Sequence, residues 1–226
     1  LPEGLKRLEK NSLYSEVVSA TEVTIPASVE YVGTYFLRGE TLKKITFKGS
    51  PVLADNSVGS NYKLIHFMSQ TPPSVGKYSF QSAHLMVVAP DIASIPVYRT
   101  TLSGHWGVEK GYELSVYGGL KEADNVCYSA MEDGNACAIY FDGTQTSVAL
   151  SKTIQIDGAA RALAKIQRGL FYYKNITEVI VPETVKTIGG NAFYKCSALT
   201  SLQLPSEVEE IGDYAFYECS AWACLS

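Results

Sequence analysis

Apolar residues recur at set places near the C-terminal end of the chain. Leu199, Leu202 and Leu204 follow an L-x-x-L-x-L spacing. Alternation of the last two predicts a short strand with these leucines inward and Ser201 and Gln203 outward. Pro205 ends it, because proline has no N–H for a sheet ladder. Val208 and Ile211 then stand three apart, followed by Ala215 and Phe216, a spacing that predicts a short helical turn. Gly212 is expected to supply the tight bend before that turn. Cys219 closes the unit as a small buried hydrophobe.

This unit is a copy of the one before it. ITEVIVPETVKTIGGNAFYKCSA at 176–198 runs without a gap into LTSLQLPSEVEEIGDYAFYECSA at 199–221. Pro182 and Pro205, Val185 and Val208, Ile188 and Ile211, Phe193 and Phe216, and Cys196 and Cys219 are all 23 positions apart. A fixed period of this length with apolar residues in register is the mark of a solenoid, in which each coil covers the hydrophobic edge of its neighbour. The same template reaches backwards. ALAKIQRGLFYYKN at 162–175 is a degenerate copy, with Ile166 and Phe171 spaced as Ile188 and Phe193 are. ATEVTIPASVEYVG at 20–33 matches ITEVIVPETVKTIG at 176–189, and Leu42, Ile45 and Phe47 supply a following strand one residue out of step. Leu5, Leu8 and Leu13 fit an earlier coil, and PPSVGKYSF at 72–80 enters another.

Between these readable ends the character changes. LMVVAP at 85–90 is a strand stopped by Pro90, and GVEKGYELSVYGGLKEAD at 107–124 is glycine-rich and polar. NVCYSAMEDGNACAIYFDG at 125–143 alternates on either side of Glu132-Asp133-Gly134-Asn135, a hairpin turn signal. The chain is therefore expected to hold a first repeat module at 1–115, a linker at 116–124, a β-hairpin cap at 125–158 that shields the first coil of the next array, and a second repeat module at 159–226. The predicted class is α/β: a right-handed β-α solenoid of short strands and short helical turns, plus the hairpin.

The spacing LPxxVxxIGxxAFxxCxxLxxLxLP, carried here as VPETVKTIGGNAFYKCSALTSLQLP at 181–205, resembles the BspA-like leucine-rich repeats of bacterial and some protozoan cell surfaces. Asp133 to Gly158 is similar to the lead-in of such modules, and Val88 to Trp106 to their closing element. The first module departs from the pattern: it lacks the Cys and the Ala-Phe pair, and has FLRGET at 36–41 instead. The resemblance implies a non-enzymatic protein displayed on the cell surface or secreted, engaged in adhesion or in recognition of host matrix or plasma proteins. A passive spacer and a glycan-binding module are the alternatives, the latter with Trp106 and the Tyr112–Tyr117 stretch as its only candidate platform.

In a solenoid the outward strand residues vary freely while the inward ones hold the core. Here they are Glu22, Thr24, Lys44, Thr46, Glu178, Ile180, Ser201 and Gln203, which are expected to form the ligand-binding sheet face. Tyr172, Tyr194 and Tyr217 each follow a coil phenylalanine, and tyrosine serves both recognition and packing along a coil edge. Cys127 and Cys137 flank the predicted hairpin and face one another in one register, whereas Cys196 and Cys219 read as a ladder of free thiols; Cys224 is left over. Asp133, Asp142 and Asp157 each precede a glycine, as turns favour, and lack calcium-loop spacing. Asn175-Ile176-Thr177 is a glycosylation sequon.

Charge and motifs narrow the function further. Nineteen basic against 23 acidic residues give a net charge of −4, too little field to gather nucleic acid or anionic lipid. No stretch approaches the roughly 20 apolar residues of a membrane span, so a soluble chain is expected. It opens on Leu1 without a basic-then-apolar leader, so a targeting segment is expected upstream or already removed. His66, His84 and His105 stand apart from any nucleophile motif, there is no phosphate or dinucleotide fingerprint, and no C-x-x-C pair suggests zinc. Neither an enzyme nor a cofactor or metal is expected.

Overall fold

The computed structural model describes residues 1–14, 20–38, 42–58, 64–80, 85–103 and 115–221. The chain divides into two compact units, Leu1–Gly118 and Gly119–Ser226.

In the first unit, strands Glu22–Ile25, Lys44–Phe47, Leu64–Phe67 and Met86–Ala89 lie in parallel register, with Glu22, Lys44, Leu64 and Met86 side by side. Met86–Ala89 also pairs with Ser115–Gly118. A second parallel stack joins Arg7–Leu8, Tyr31–Val32, Val52–Leu53 and Ser74–Val75, and a third pairs Leu13–Tyr14 with Leu37–Arg38. Successive strands on several faces, each bonded to its copy in the next coil, make a parallel β-solenoid. Its interior holds Ile25, Val32, Ile45, Leu53 and Ile65, with a ring column in which Phe47 stacks on Phe67 at 5.1 Å and Tyr98 meets Phe67 at a tilt at 5.4 Å. Tyr98 comes from the helix Ile95–Leu102, whose Pro96 sits in the first turn, where a missing N–H costs nothing. Its hydroxyl donates to the Ser69 carbonyl at 2.7 Å, so a buried polar tip is satisfied.

The second unit opens on the expected hairpin, Val126–Ala130 antiparallel to Ala136–Phe141. Gly134 takes a left-handed φ of 88° in its turn, and Asp133 accepts a bond from the Asn135 N–H. A second hairpin joins Thr153–Ile156 to Ala159–Ile166. Its two turn residues, Asp157 and Gly158, both have positive φ, as a tight two-residue hairpin requires. From there the unit is a solenoid: Ala136–Phe141, Ala159–Ile166, Thr187–Ile188 and Glu210–Ile211 stack in parallel, as do Ser147–Ala149, Glu178–Ile180 and Ser201–Gln203. Phe141, Phe171, Phe193 and Phe216 form one column with centroids 5.2, 5.1 and 5.1 Å apart. Ile188 is buried, while its repeat mate Ile211 on the outermost described coil is exposed.

The structure corrects the sequence reading at four points. The short helical turns of the α/β description are not found in the repeats, which form a β-solenoid among the described residues, because the Ala-Phe segments are turns. From Asn191 to Cys196 the N–H groups alternate. Asn191, Phe193 and Lys195 donate to Asp213, Ala215 and Tyr217 of the following coil, and Ala192, Tyr194 and Cys196 donate three residues back. A helix would need every N–H directed to its own fourth preceding carbonyl, and Asn191 and Lys195 at φ of 56° and 57° break that path. Among the described residues, helix is confined to Ile92–Ser94 and Ile95–Leu102.

Residues 116–124, expected to be a linker, are largely the strand Ser115–Ala123. Its glycines serve close approach: a Cβ on Gly118 would lie 2.4 Å from the Ile92 nitrogen. Gly212 does not provide a bend through unusual φ either, for a Cβ there would meet the Gly190 nitrogen at 2.5 Å. Gly33, Gly76 and Gly189 occupy the same coil position and abut the preceding coil's backbone in the same way. Finally, the first module does possess its coil phenylalanine. Phe36 is fully buried, one residue nearer its coil glycine than Phe193 is, so a shortened turn disguised it.

Candidate functional site

Four coils turn a corner just after a close-packed glycine, and the residue two positions on adopts left-handed backbone. Tyr35, Tyr78, Asn191 and Tyr214 stand there after Gly33, Gly76, Gly189 and Gly212, with φ of 48°, 54°, 56° and 56°. Asn11 and Asn56 hold the same corner in the coils flanking Tyr35, at 58° and 53°. Asparagine tolerates this region far better than a bulky residue does, and tyrosine there costs on the order of 1–3 kcal/mol. Burial does not repay that cost, because Tyr35, Tyr78 and Tyr214 are 36%, 58% and 65% exposed.

In the second unit a further corner column, Tyr173, Lys195 and Glu218, is also left-handed. The Lys195 ammonium lies 5.3 Å from the Tyr173 ring centre and 3.5 Å from the Glu218 carboxylate. The hydroxyl of Tyr173, and then Glu218, raise its pKa and hold it charged. Beside this column Tyr172, Tyr194 and Tyr217 stack at 5.1 and 5.0 Å, at about the spacing of successive strands. Tyr173 and Tyr214 meet the outer rungs edge-on, at 4.7 Å from Tyr172 and 5.8 Å from Tyr217. The result is a surface of five tyrosines. The sequence pointed to three of them; Tyr173 and Tyr214 escaped notice, because nothing in the residues around them reports the left-handed backbone that places them here.

The expected sheet face is divided between the units. Glu22, Thr24, Lys44 and Thr46 lie on the first, where Lys44 approaches Glu22 to 3.4 Å and Thr24 stands opposite Thr46. Glu178, Ile180, Ser201 and Gln203 lie on the second, in two adjacent strands. Glu178 accepts a bond from the Ser147 hydroxyl at 2.8 Å, whereas Ile180, Ser201 and Gln203 are exposed.

The cysteines are packing elements. Cys127 stands opposite Tyr140, and Cys137 opposite Ser129, so the register does not pair them; both are buried thiols outside any disulfide. Cys196 and Cys219 donate S–H bonds to the carbonyls of Phe171 and Phe193 in the coil before, each at 3.0 Å. Burial pushes the Cys196 thiol up to about 12. The thiolate is the reactive form, so Cys196 is expected to resist iodoacetamide in the folded protein at pH 8 and to label fully in urea, as read by intact mass. Equal labelling rates in the two states would contradict the packing. Because the folded value is raised, stability from this group is intact below about pH 8.5, the ordinary thiol value, and is lost as pH climbs from there towards 12.

Asp133 and Asp157 sit in the two hairpin turns, and Asp142 accepts a bond from the Tyr140 hydroxyl at 2.9 Å. Asn175 is exposed before the strand Glu178–Ile180. His66 lies between Thr46 and Val88 in the sheet. His84, His105, Trp106, Tyr112, Cys224 and residues 39–41 of FLRGET lie outside the described residues. Among the described residues, no cluster of three His, Cys, Asp or Glu has metal-binding geometry, and no helix is long and apolar enough to cross a membrane.

A leucine rich cell surface protein from Faecalibacterium prausnitzii is 18% identical with a TM-score of 0.42, over 88% of this chain and 45% of that one. A leucine-rich repeat protein from Eubacterium ventriosum is 15% identical with a TM-score of 0.41, over 97% and 57%. The pneumococcal vaccine antigen PcpA is 20% identical with a TM-score of 0.32, over 92% and 50%. This chain thus spans about half the length of each of these three. No curated protein matches the sequence. The model of the BspA type leucine rich repeat region matches residues 1–89 and 164–225 in six copies, and on that match the chain belongs to the BspA-type leucine-rich repeat family.

Proposed function

We propose that this chain is a non-enzymatic recognition module, displayed on the cell surface or secreted, that binds other proteins through its tyrosine-bearing coil corners. The observation that carries this reading is the choice of tyrosine at left-handed positions where neighbouring coils use Asn11, Asn56 and Asn191. Strained backbone that is not required by folding concentrates at functional positions. Tyrosine also supplies a large, rigid, amphipathic contact at low entropic cost. The family and the cell-surface protein of Faecalibacterium prausnitzii support placement outside the cell. The outward sheet residues, with Ile180, Ser201 and Gln203 foremost, form the rival contact face.

The test is a binding panel of extracellular matrix and plasma proteins, presented to the wild type and to a variant carrying Asn at 35, 78, 173 and 214. A saturable hit that the variant loses, with circular dichroism unchanged, is expected. A hit retained by that variant and lost on Ile180→Glu with Gln203→Lys would transfer the function to the sheet. Silence across the panel would favour a passive spacer. Tyr78→Asn alone is expected to keep or raise stability by up to about 1 kcal/mol.

A further inference from the structure

The geometry points to a binding track for a polyproline II segment along the first unit, with Tyr35 and Tyr78 as its two anchors. This inference rests on the reading of the corner tyrosines as contact residues and adds the class of partner. Asn11, Tyr35, Asn56 and Tyr78 occupy one corner in four successive coils. They are joined through the backbone: Asn11 donates to the Thr34 carbonyl at 3.3 Å, Tyr35 to Asn56 at 2.9 Å, and Asn56 to Lys77 at 3.0 Å. One coil step in a parallel stack is about 4.8 Å, so the tyrosines recur about every 9.6 Å along the column.

Extended ligands differ in their repeat. A polyproline II helix advances about 3.1 Å per residue with three residues per turn, so the same face returns every 9.3 Å or so. Each third residue therefore meets a tyrosine. A β-strand returns the same face every two residues, about 6.7 Å, and falls out of step at once. An α-helix returns an apolar residue about every 5.4 Å, and would set every second one against Asn56. The chemistry agrees with the spacing. Proline rings pack on aromatic side chains, and the stiff segment loses little entropy on docking. Its carbonyls make no internal hydrogen bonds and are open to the tyrosine hydroxyls as donors. The four corner pairs, Lys10-Asn11, Thr34-Tyr35, Asp55-Asn56 and Lys77-Tyr78, carry Lys10, Asp55 and Lys77 as their charges, and the Asp55 carboxylate accepts the Lys77 backbone N–H at 2.8 Å. One net positive charge gives little attraction for a polyanion.

The probe is a fluorescein-labelled twelve-residue peptide with proline at every third position and Gln and Ala between, set against a shuffled peptide of the same composition. Fluorescence anisotropy on the whole chain is expected to show saturable binding of the periodic peptide, and at least about fivefold weaker binding of the shuffled one. The Tyr35→Asn/Tyr78→Asn double variant should lose at least about tenfold, and Tyr35→Phe/Tyr78→Phe less. Gln155→Ala, at an exposed strand position of the second unit, should bind as wild type does; circular dichroism and thermal melts of all variants guard against unfolding. Equal binding of the two peptides, binding indifferent to the double substitution, or no binding by the wild type would each overturn the polyproline assignment. Were the periodic peptide silent while a protein from the panel, or a neutral polysaccharide such as dextran, bound and was lost on Tyr35→Asn/Tyr78→Asn, the corner reading would survive with a different ligand. Loss of no ligand either on that substitution or on the fourfold variant at 35, 78, 173 and 214 would remove both.

Discussion

Phe193→Ala should lower the free energy of unfolding by about 3–5 kcal/mol, measured by urea denaturation followed in the far ultraviolet. The ring is completely buried between Phe171 and Phe216, each 5.1 Å away. Removing it deletes two aromatic contacts and leaves a cavity in the middle of the column. Collapse into that cavity is opposed by the coils themselves, because Phe171 donates to the Ala192 carbonyl and Phe193 to that of Ala215, both at 2.8 Å. Phe216→Ala is the internal control. Its ring is only half-buried and has one column neighbour among the described residues, so it should cost less than half as much. Solenoid stability is a sum of coil and interface terms, so the central substitution should also broaden the transition. A Phe193→Ala midpoint near that of the wild type would contradict the column.

Gly189→Ala should cost about 3 kcal/mol, the upper part of the range for overpacked sites. An added Cβ would lie 2.4 Å from the Arg168 nitrogen and 2.9 Å from its Cα. Both are backbone atoms of the preceding coil, and they cannot swing aside as a side chain would. The two coils would have to part, which strains the bond from the Gly189 N–H to the Ile166 carbonyl at 2.8 Å. Gly134→Ala separates this effect from conformational strain. Gly134 has a φ of 88° with open space around it, so only the unfavourable backbone region opposes alanine, at about 1 kcal/mol. Thermal melts that rank Gly134→Ala as the worse of the two would refute the close-packing account of the coil glycine.

Inward residues were legible where the repeat held its period, with Ile211 on the outermost described coil the exception. Val185, Ile188, Phe193 and Leu202 were assigned to the interior from spacing alone and are buried, because each coil places equivalent residues in equivalent surroundings. The hairpin turn at 132–135 was legible for a local reason: its residue types carry the required backbone conformations. Phe36 was concealed by a turn shortened by one residue, a change that costs the fold little while shifting every later position out of alignment.

The corner tyrosines were only partly legible. Tyr172, Tyr194 and Tyr217 stood out through their place after the coil phenylalanine, but their stacking depends on the distance between coils. Tyr35, Tyr78 and Tyr214 are unusual only once their φ is known, since nothing in G-x-Y reports left-handed backbone. The same limit explains the turns misread as helices. An apolar spacing of three and four residues describes a helix and a tightly bonded corner equally well, and where each N–H is directed decides between them.

By itself the sequence determined the period, the inward set, the hairpin and the family, since all of these follow from local residue chemistry repeated along the chain. Tertiary structure decided the rest: that the coils carry turns in place of helices, that their glycines admit a neighbouring backbone, and which tyrosines gather on a surface. Those outcomes depend on bonds and contacts between residues some twenty positions apart, where the 4.8 Å or so between stacked strands sets the geometry.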